Sequence, residues 1–281
     1  METAILIVVI MTAVGLFFGL VLAIANKKFA VEVNPLIHLV EDVLPKGQCG
    51  ACGYAGCLAY AEAVVLNEDV PPNLCIPGKE LVANMVAELT GKKAEEIEPR
   101  HAYVKCSGCK DKANLKYEYD GIADCICANS ILGGPKECIY GCIGLGTCVK
   151  NCPFEAIEMG ENRLPIIDKD KCTGCGKCES ICPKKVISMD PIECKVQISC
   201  NSKDKGAIAK KACSVSCIGC GICVKNCEHK AINIENNLAI ISHHICIENC
   251  DNPICMSKCP TGAIVIKSKE SINNKLSTQK I

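Results

Sequence analysis

The run Cys172-Thr-Gly-Cys175-Gly-Lys-Cys178-Glu-Ser-Ile-Cys182-Pro183 constrains this chain more than any other feature. Its spacing is C-x2-C-x2-C-x3-C-P, in which three closely spaced thiolates wrap one cubane and the fourth reaches a neighbouring one. The run has company: 27 of the 281 residues are cysteine, and they fall into spaced groups. This pattern predicts a chain that holds iron–sulfur clusters in a row.

Two other uses of cysteine compete with that reading. Secreted disulfide frameworks have a similar composition, but they are short, whereas a chain of 281 residues can bury ordinary cores. Paired C-x2-C cysteines also lie too close together to be efficient cross-links. Zinc uses C-x2-C half-sites, yet it needs two pairs of ligands and would leave the third cysteine of each C-x2-C-x2-C idle.

Four segments repeat one pattern: Cys152-Pro-Phe-Glu-Ala156-Ile157, Cys182-Pro-Lys-Lys-Val186-Ile187, Cys227-Glu-His-Lys-Ala231-Ile232 and Cys259-Pro-Thr-Gly-Ala263-Ile264. Each leads into a short alternating stretch, such as Ile187-Ser-Met189 or Ile232-Asn-Ile234, that reads as a brief strand. The middle interval is the longest, so the half-units divide into two pairs. These are two tandem two-cluster ferredoxin-like modules, about 135–190 and 213–267.

In such modules the fourth cysteine of each motif ligates the other cubane. On that rule Cys172, Cys175 and Cys178 pair with Cys152, and Cys138, Cys142 and Cys148 pair with Cys182. Likewise Cys217, Cys220 and Cys223 take Cys259, and Cys246, Cys250 and Cys255 take Cys227. The motifs that start at Cys138 and at Cys246 are stretched, with wider loops between their cysteines.

Upstream lies a different group, Gly47-Gln-Cys49-Gly-Ala-Cys52-Gly-Tyr-Ala-Gly-Cys57, followed by Cys75. Its glycines let the backbone fold tightly around a cluster and donate amide hydrogens to the sulfurs. Ala59 to Leu66 and Lys79 to Thr90 have helical spacing, with Gly91 as a stop signal, so a single-cluster domain is expected over 34–92.

From Thr3 to Asn26 no residue is charged. As a helix at about 1.5 Å per residue this stretch spans roughly 36 Å, enough for one bilayer crossing. A cleaved signal peptide would open on basic residues, whereas this chain opens on Glu2. Lys27 and Lys28 follow directly, and the positive-inside rule then puts the cluster domains on the cytoplasmic side of a single-pass anchor. That compartment is reducing, which suits open thiolates. Charge is balanced at 31 basic and 31 acidic residues, so nothing points to nucleic acid. Each bound cubane with four thiolates would add roughly −2 to that count.

Seven cysteines remain between the groups: Cys106, Cys109, Cys125, Cys127, Cys194, Cys200 and Cys213. Four of them suffice for a further cluster assembled from distant segments, and spacing alone does not say which four.

The anchor, the Cys49/Cys52/Cys57/Cys75 group, the runs Gly133-Gly-Pro-Lys-Glu-Cys138 and Gly141-Cys142-Ile-Gly-Leu-Gly146, and the tandem motifs together resemble the B-subunit family of the Rnf complex. Rnf is a membrane-bound ferredoxin:NAD oxidoreductase coupled to sodium or proton translocation. The resemblance covers nearly the whole chain and implies an electron-transfer subunit, with soluble ferredoxin as donor and membrane and NAD-binding subunits as partners. It also implies that Cys106, Cys125, Cys200 and Cys213 form the further site, with Cys109, Cys127 and Cys194 left as extras. Six 4Fe–4S clusters are then expected. The chain departs from the family pattern at Glu228, where proline is usual, and in the wide Cys246–Cys259 spacing.

The expected architecture is α+β. It comprises a transmembrane anchor (1–28), the single-cluster domain (34–92), a linker that contributes ligands (93–134), the first module (135–190), a connecting segment (191–212), the second module (213–267) and a flexible tail (268–281). Gly141-x2-Gly144-x-Gly146 does not read G-x-G-x-x-G, so no nicotinamide site is expected. Thr261-Gly-Ala-Ile264 is a repeat element, not a flavin attachment site, and the five histidines have structural or surface roles. Lys203, Lys205, Lys210 and Lys211 form a basic stretch suited to a solvated loop or to an acidic ferredoxin. No substrate chemistry is expected on this chain alone. The alternatives are a polyferredoxin subunit of another membrane oxidoreductase and a membrane-tethered iron–sulfur regulator or cluster carrier.

Overall fold

Helix α1 runs from Glu2 to Phe29 and is the one helix, among the described residues, long and apolar enough to cross a membrane. A computed structural model describes residues 2–29, 34–95, 98–192, 196–250 and 253–266. The expected tail, 268–281, and Cys194 lie outside them.

After α1 comes a small helical unit. Helix α2 (Pro35–Val43) opens with proline at its first position and with Asn34, whose side chain accepts from the Leu36 amide at 3.0 Å. Helix α3 (Cys57–Leu66) and helix α4 (Lys79–Thr90) follow, and α4 ends on Gly91 at φ 70°, where the left-handed turn is free of Cβ strain. Ile37, Val40, Tyr60, Val64 and Val86 from these helices form its core. Lys92 Nζ closes the unit by donating to the carbonyls of Val64, Asn67 and Val70 at 2.6–2.8 Å. A cation at the carbonyl end of α3 also meets the negative end of the helix dipole.

Beyond this unit the described residues form four two-stranded antiparallel sheets joined by short helices. Strand β1 (Arg100–Val104) pairs with β4 (Ile187–Pro191), and β2 (Ile157–Met159) with β3 (Pro165–Ile167). Strand β5 (Val196–Ile198) pairs with β8 (Ile264–Ile266), and β6 (Ile232–Glu235) with β7 (Leu238–Ile241). β2, β4, β6 and β8 are the brief strands that follow the four repeated motifs. β1 and β5 lie in the segments read as linker and connector. They are needed there because β4 and β8 have no adjacent hairpin partner and must pair their backbone groups with distant chain.

One turn recurs in all four repeats. The residue three after the cysteine is left-handed: Glu155, Lys185, Lys230 and Gly262 have φ of 50°, 50°, 52° and 64°. Each donates its amide back to the cysteine carbonyl at 3.1–3.3 Å. The turn swings the next amide onto sulfur, so that Ala156 N reaches Cys152 Sγ at 3.4 Å and Ala231 N reaches Cys227 Sγ at 3.3 Å. The following positions, Ala156, Val186, Ala231 and Ala263, are buried and anchor the strand.

Candidate iron–sulfur centres

The fold gathers cysteines into hollows with four apiece. Cys49, Cys52, Cys57 and Cys75 line one with Leu44 and Tyr60. Cys152, Cys172, Cys175 and Cys178 line the second. Cys125, Cys142, Cys148 and Cys182 line the third, and Cys106, Cys138, Cys200 and Cys213 the fourth. Cys217, Cys220, Cys223 and Cys259 line the fifth.

A sixth group is Cys227, Cys246, Cys250 and Cys255, which share the core of the second module. Helix α10 (His243–Asn249) carries Cys246 and helix α11 (Ile254–Ser257) carries Cys255. The wide loop between Cys250 and Cys255 includes residues 251 and 252, outside the described residues.

Short helices present the cysteines: α6 (Thr147–Lys150), α7 (Lys177–Ile181) and α9 (Ile222–Lys225) each start on a left-handed glycine. Three loop glycines, Gly144, Gly174 and Gly219, have no substitute. Gly174 at φ 73° would put a Cβ 2.4 Å from the Arg100 carbonyl of β1, and Gly219 at φ 63° would put one 2.8 Å from Asn237 O. The loops at Gly174 and Gly219 thus pass directly beneath strand β1 and the turn that joins β6 to β7.

The donor set fits cubanes and not zinc. Zinc draws four sulfurs to about 2.3 Å of one point. Among the described residues no three His, Cys, Asp or Glu side chains converge enough to hold a single ion. The sulfurs stand around the hollows instead, as a polynuclear core requires. Burial pushes the pKa of the Cys142 and Cys178 thiols up to about 12, and those of Cys75, Cys148, Cys200 and Cys223 up to about 11, with neighbouring thiols adding to the effect. Such sites favour thiolate only when a cationic core stands among them.

An FeS family model, for an Fe-S cluster, matches residues 44–77, and a 4Fe-4S dicluster domain matches residues 141–187. Over 94% of its length the chain is 62% identical to the B subunit of the proton-translocating ferredoxin:NAD(+) oxidoreductase complex of Clostridium ljungdahlii, covering 93% of that protein. It is 42% identical to the Na(+)-translocating counterpart from Acetobacterium woodii over 94% of the chain and 78% of the relative. The B subunit of the ion-translocating oxidoreductase complex of Methanosarcina acetivorans is 38% identical over 92% of the chain and 97% of the relative. The chain belongs to the B-subunit family of the Rnf complex.

In this Rnf-family chain the structure departs from the expected ligand sets at two positions. The motif rule puts Cys138 beside Cys142, Cys148 and Cys182, and the family resemblance puts Cys125 beside Cys106, Cys200 and Cys213. The two are exchanged. Helix α5 (Cys125–Ser130) is capped by Asp124, whose carboxylate accepts from the Ile126 and Cys127 amides. Thr147 Oγ1 donates to Asp124 Oδ2 at 2.9 Å and accepts from Cys125 N at 2.6 Å, which pins Cys125 beside Cys148 on α6. Cys138 is drawn the other way, because Glu137 N donates to Asn114 O and Ala113 bridges Cys213. The stretched spacing from Cys138 to Cys148 has its reason here: the first cysteine of the motif faces a different hollow.

Of the expected extras, Cys109 is buried in the first module's core and Cys127 is exposed on α5; neither lines the two hollows beside it. Lys136 lines the fourth hollow, a role for which the sequence offers no signal. Lys203, Lys205, Lys210 and Lys211 lie in and before helix α8 (Gly206–Ala212), and all four are exposed.

Proposed function

We propose that this chain is the electron-conducting subunit of a membrane-bound ferredoxin:NAD+ oxidoreductase coupled to sodium or proton translocation. It holds six 4Fe–4S clusters, on the cysteine sets gathered above. Helix α1 is a single-pass anchor, and the cluster domains face the cytoplasm, where reduced ferredoxin docks on the distal module, 213–267. Electrons then run toward the Cys49–Cys75 site and the partner subunits.

The observation that carries this reading is that successive hollows adjoin. Helix α6 holds Cys148 of the third and leads into Cys152 of the second; α7 holds Cys178 of the second and leads into Cys182 of the third. Cys106 Sγ, of the fourth, accepts from the amide of Cys142, of the third, at 3.4 Å. Ile198 and Cys217 line the fifth, and their chain neighbours Ser199 and Ser216 line the fourth. Helix α9 holds Cys223 of the fifth and leads into Cys227 of the sixth.

When bound, a cubane takes up or gives one electron at a potential tuned by hydrogen bonds and burial. The chain's own residues hold it, aim amides at its sulfurs and exclude water with side chains such as Ile157, Val186, Ile198 and Ile264. Their role is ligation and shielding, so the oxidoreductase activity belongs to the complex.

Iron and acid-labile sulfide in anaerobically purified chain test the reading: about 24 irons support a conductor of six cubanes. A count near four would instead leave a regulator or cluster carrier. Membranes with and without this subunit, supplied with reduced ferredoxin, should differ in NADH formation and ion uptake. Equal rates would assign the chain to another oxidoreductase.

A further inference from the structure

The hollows of the two modules adjoin through continuous chain, but the helical unit at 34–92 meets the first module across a surface. At that surface Gly47 sits between two left-handed residues, Lys46 at φ 52° and Gln48 at φ 46°. Neither is glycine, and such conformations cost about 1 kcal/mol or more each, so their surroundings must hold them. Gln48 turns back to accept from the Cys57 amide at 3.0 Å, which fixes the loop to its own cluster site. Gly47 faces outward: a Cβ there would stand 3.0 Å from Phe154 Cζ and 3.4 Å from Cε1. The ring of Phe154 therefore lies on the bare backbone of Gly47.

Each partner belongs to a different site. Gly47 and Cys49 line the hollow of Cys52, Cys57 and Cys75, while Phe154 and Cys175 line that of Cys152, Cys172 and Cys178. Beside the ring the two sites face each other, with the side chains of Cys49 and Cys175 turned toward one another across this surface.

We propose that electrons cross between the N-terminal unit and the rest of the chain at Cys49 and Cys175, and that Phe154 seated on Gly47 is the clamp that holds this junction closed. The inference rests on the cluster assignment made above. One electron leaves one site and arrives at the other, and no bond forms or breaks. Phe154 is a positioning residue: it acts on the distance between two ligand sulfurs. Only glycine at 47 lets the ring approach so closely, and the strained flanking residues present that glycine outward.

The test uses the full chain, loaded anaerobically with iron and sulfide, as wild type, Phe154→Leu, Phe154→Ala and Gly47→Val. Three quantities are read: iron content, magnetic coupling between the reduced clusters at the two sites by EPR, and the freeze-quenched rate at which reduced ferredoxin fills the Cys49–Cys75 site. Iron normalises the other two readings in every variant, so that a cluster lost from a crowded hollow is not counted as an opened junction. Coupling should weaken and the filling rate should fall in Phe154→Ala and Gly47→Val, with Phe154→Leu between them and wild type. The fall should be about tenfold or more, within the loss of up to about a hundredfold that a misplacement of about 1 Å causes in positioned reacting pairs. Undiminished coupling and rate in both Phe154→Ala and Gly47→Val would overturn the junction. Failure of the cluster assignment is read separately, from iron alone: Cys49→Ser would then remove none.

Discussion

Lys136 Nζ donates to the carbonyl oxygen of Gly108 at 2.6 Å inside the hollow of Cys106, Cys138, Cys200 and Cys213. With 7% of its surface exposed, this lysine is a buried cation held on a neutral carbonyl. Burying a charge is costly unless opposite charge stands near, and a cubane with four thiolates supplies roughly −2. Lys136→Met should therefore lower the potential of one cluster, seen as a shift of a single component in an EPR-monitored redox titration. Chelator should strip that cluster about tenfold faster, equivalent to about 1.4 kcal/mol. A titration in which all components stay put would remove this role.

The exchange of Cys125 and Cys138 makes iron counting decisive. If the observed hollows are the ligand sets, Cys106→Ser with Cys138→Ser disables one site and leaves about 20 irons. Cys125→Ser with Cys138→Ser disables two and leaves about 16. Under the motif rule the first pair would also disable two sites, so a count near 16 for Cys106→Ser with Cys138→Ser would restore that rule.

Lys92 holds three carbonyls at the end of α3. Lys92→Met should destabilise the N-terminal unit by about 2 kcal/mol, the scale of a charge-assisted hydrogen bond. Hydrogen exchange should quicken in α3 and α4 while β1–β4 amides keep their protection. Uniform quickening would mean the units unfold together.

The exposed lysines of α8 stand beside the distal module, where Gly206 at the start of the helix lies against Ile218 of the fifth hollow. Reversing Lys210 and Lys211 to glutamate should slow reduction by ferredoxin about tenfold at low salt, and the difference should vanish near 0.5 M salt, where the Debye length is only about 4 Å. A rate unchanged at low salt would place ferredoxin elsewhere.

Much of the molecule is legible in the sequence because cluster chemistry is written in local spacing. The four repeats, the helices α3 and α4 and the stop at Gly91 all depend on residues close in the chain. What escapes depends on distant pairing. β1 and β5 are ordinary short apolar stretches whose partners lie far downstream, and no local pattern announces them. Cys125 eludes reading by spacing because a helix cap, Asp124 bound to Thr147, decides its position rather than its distance from other cysteines. The clamp at Gly47 is likewise hidden, since Phe154 looks like an ordinary variable position between Pro153 and Glu155.

The pairing of β5 with β8 also sets a timetable for biosynthesis. Val196–Ile198 emerges from the ribosome long before its partner Ile264–Ile266, and Cys106 waits for Cys200 and Cys213 before its hollow exists. The N-terminal unit, by contrast, closes entirely on residues 34–95. Because local contacts form before distant ones can, the Cys49–Cys75 site can mature during translation. The cell must keep the remaining thiols reduced and protected until the last strand is made.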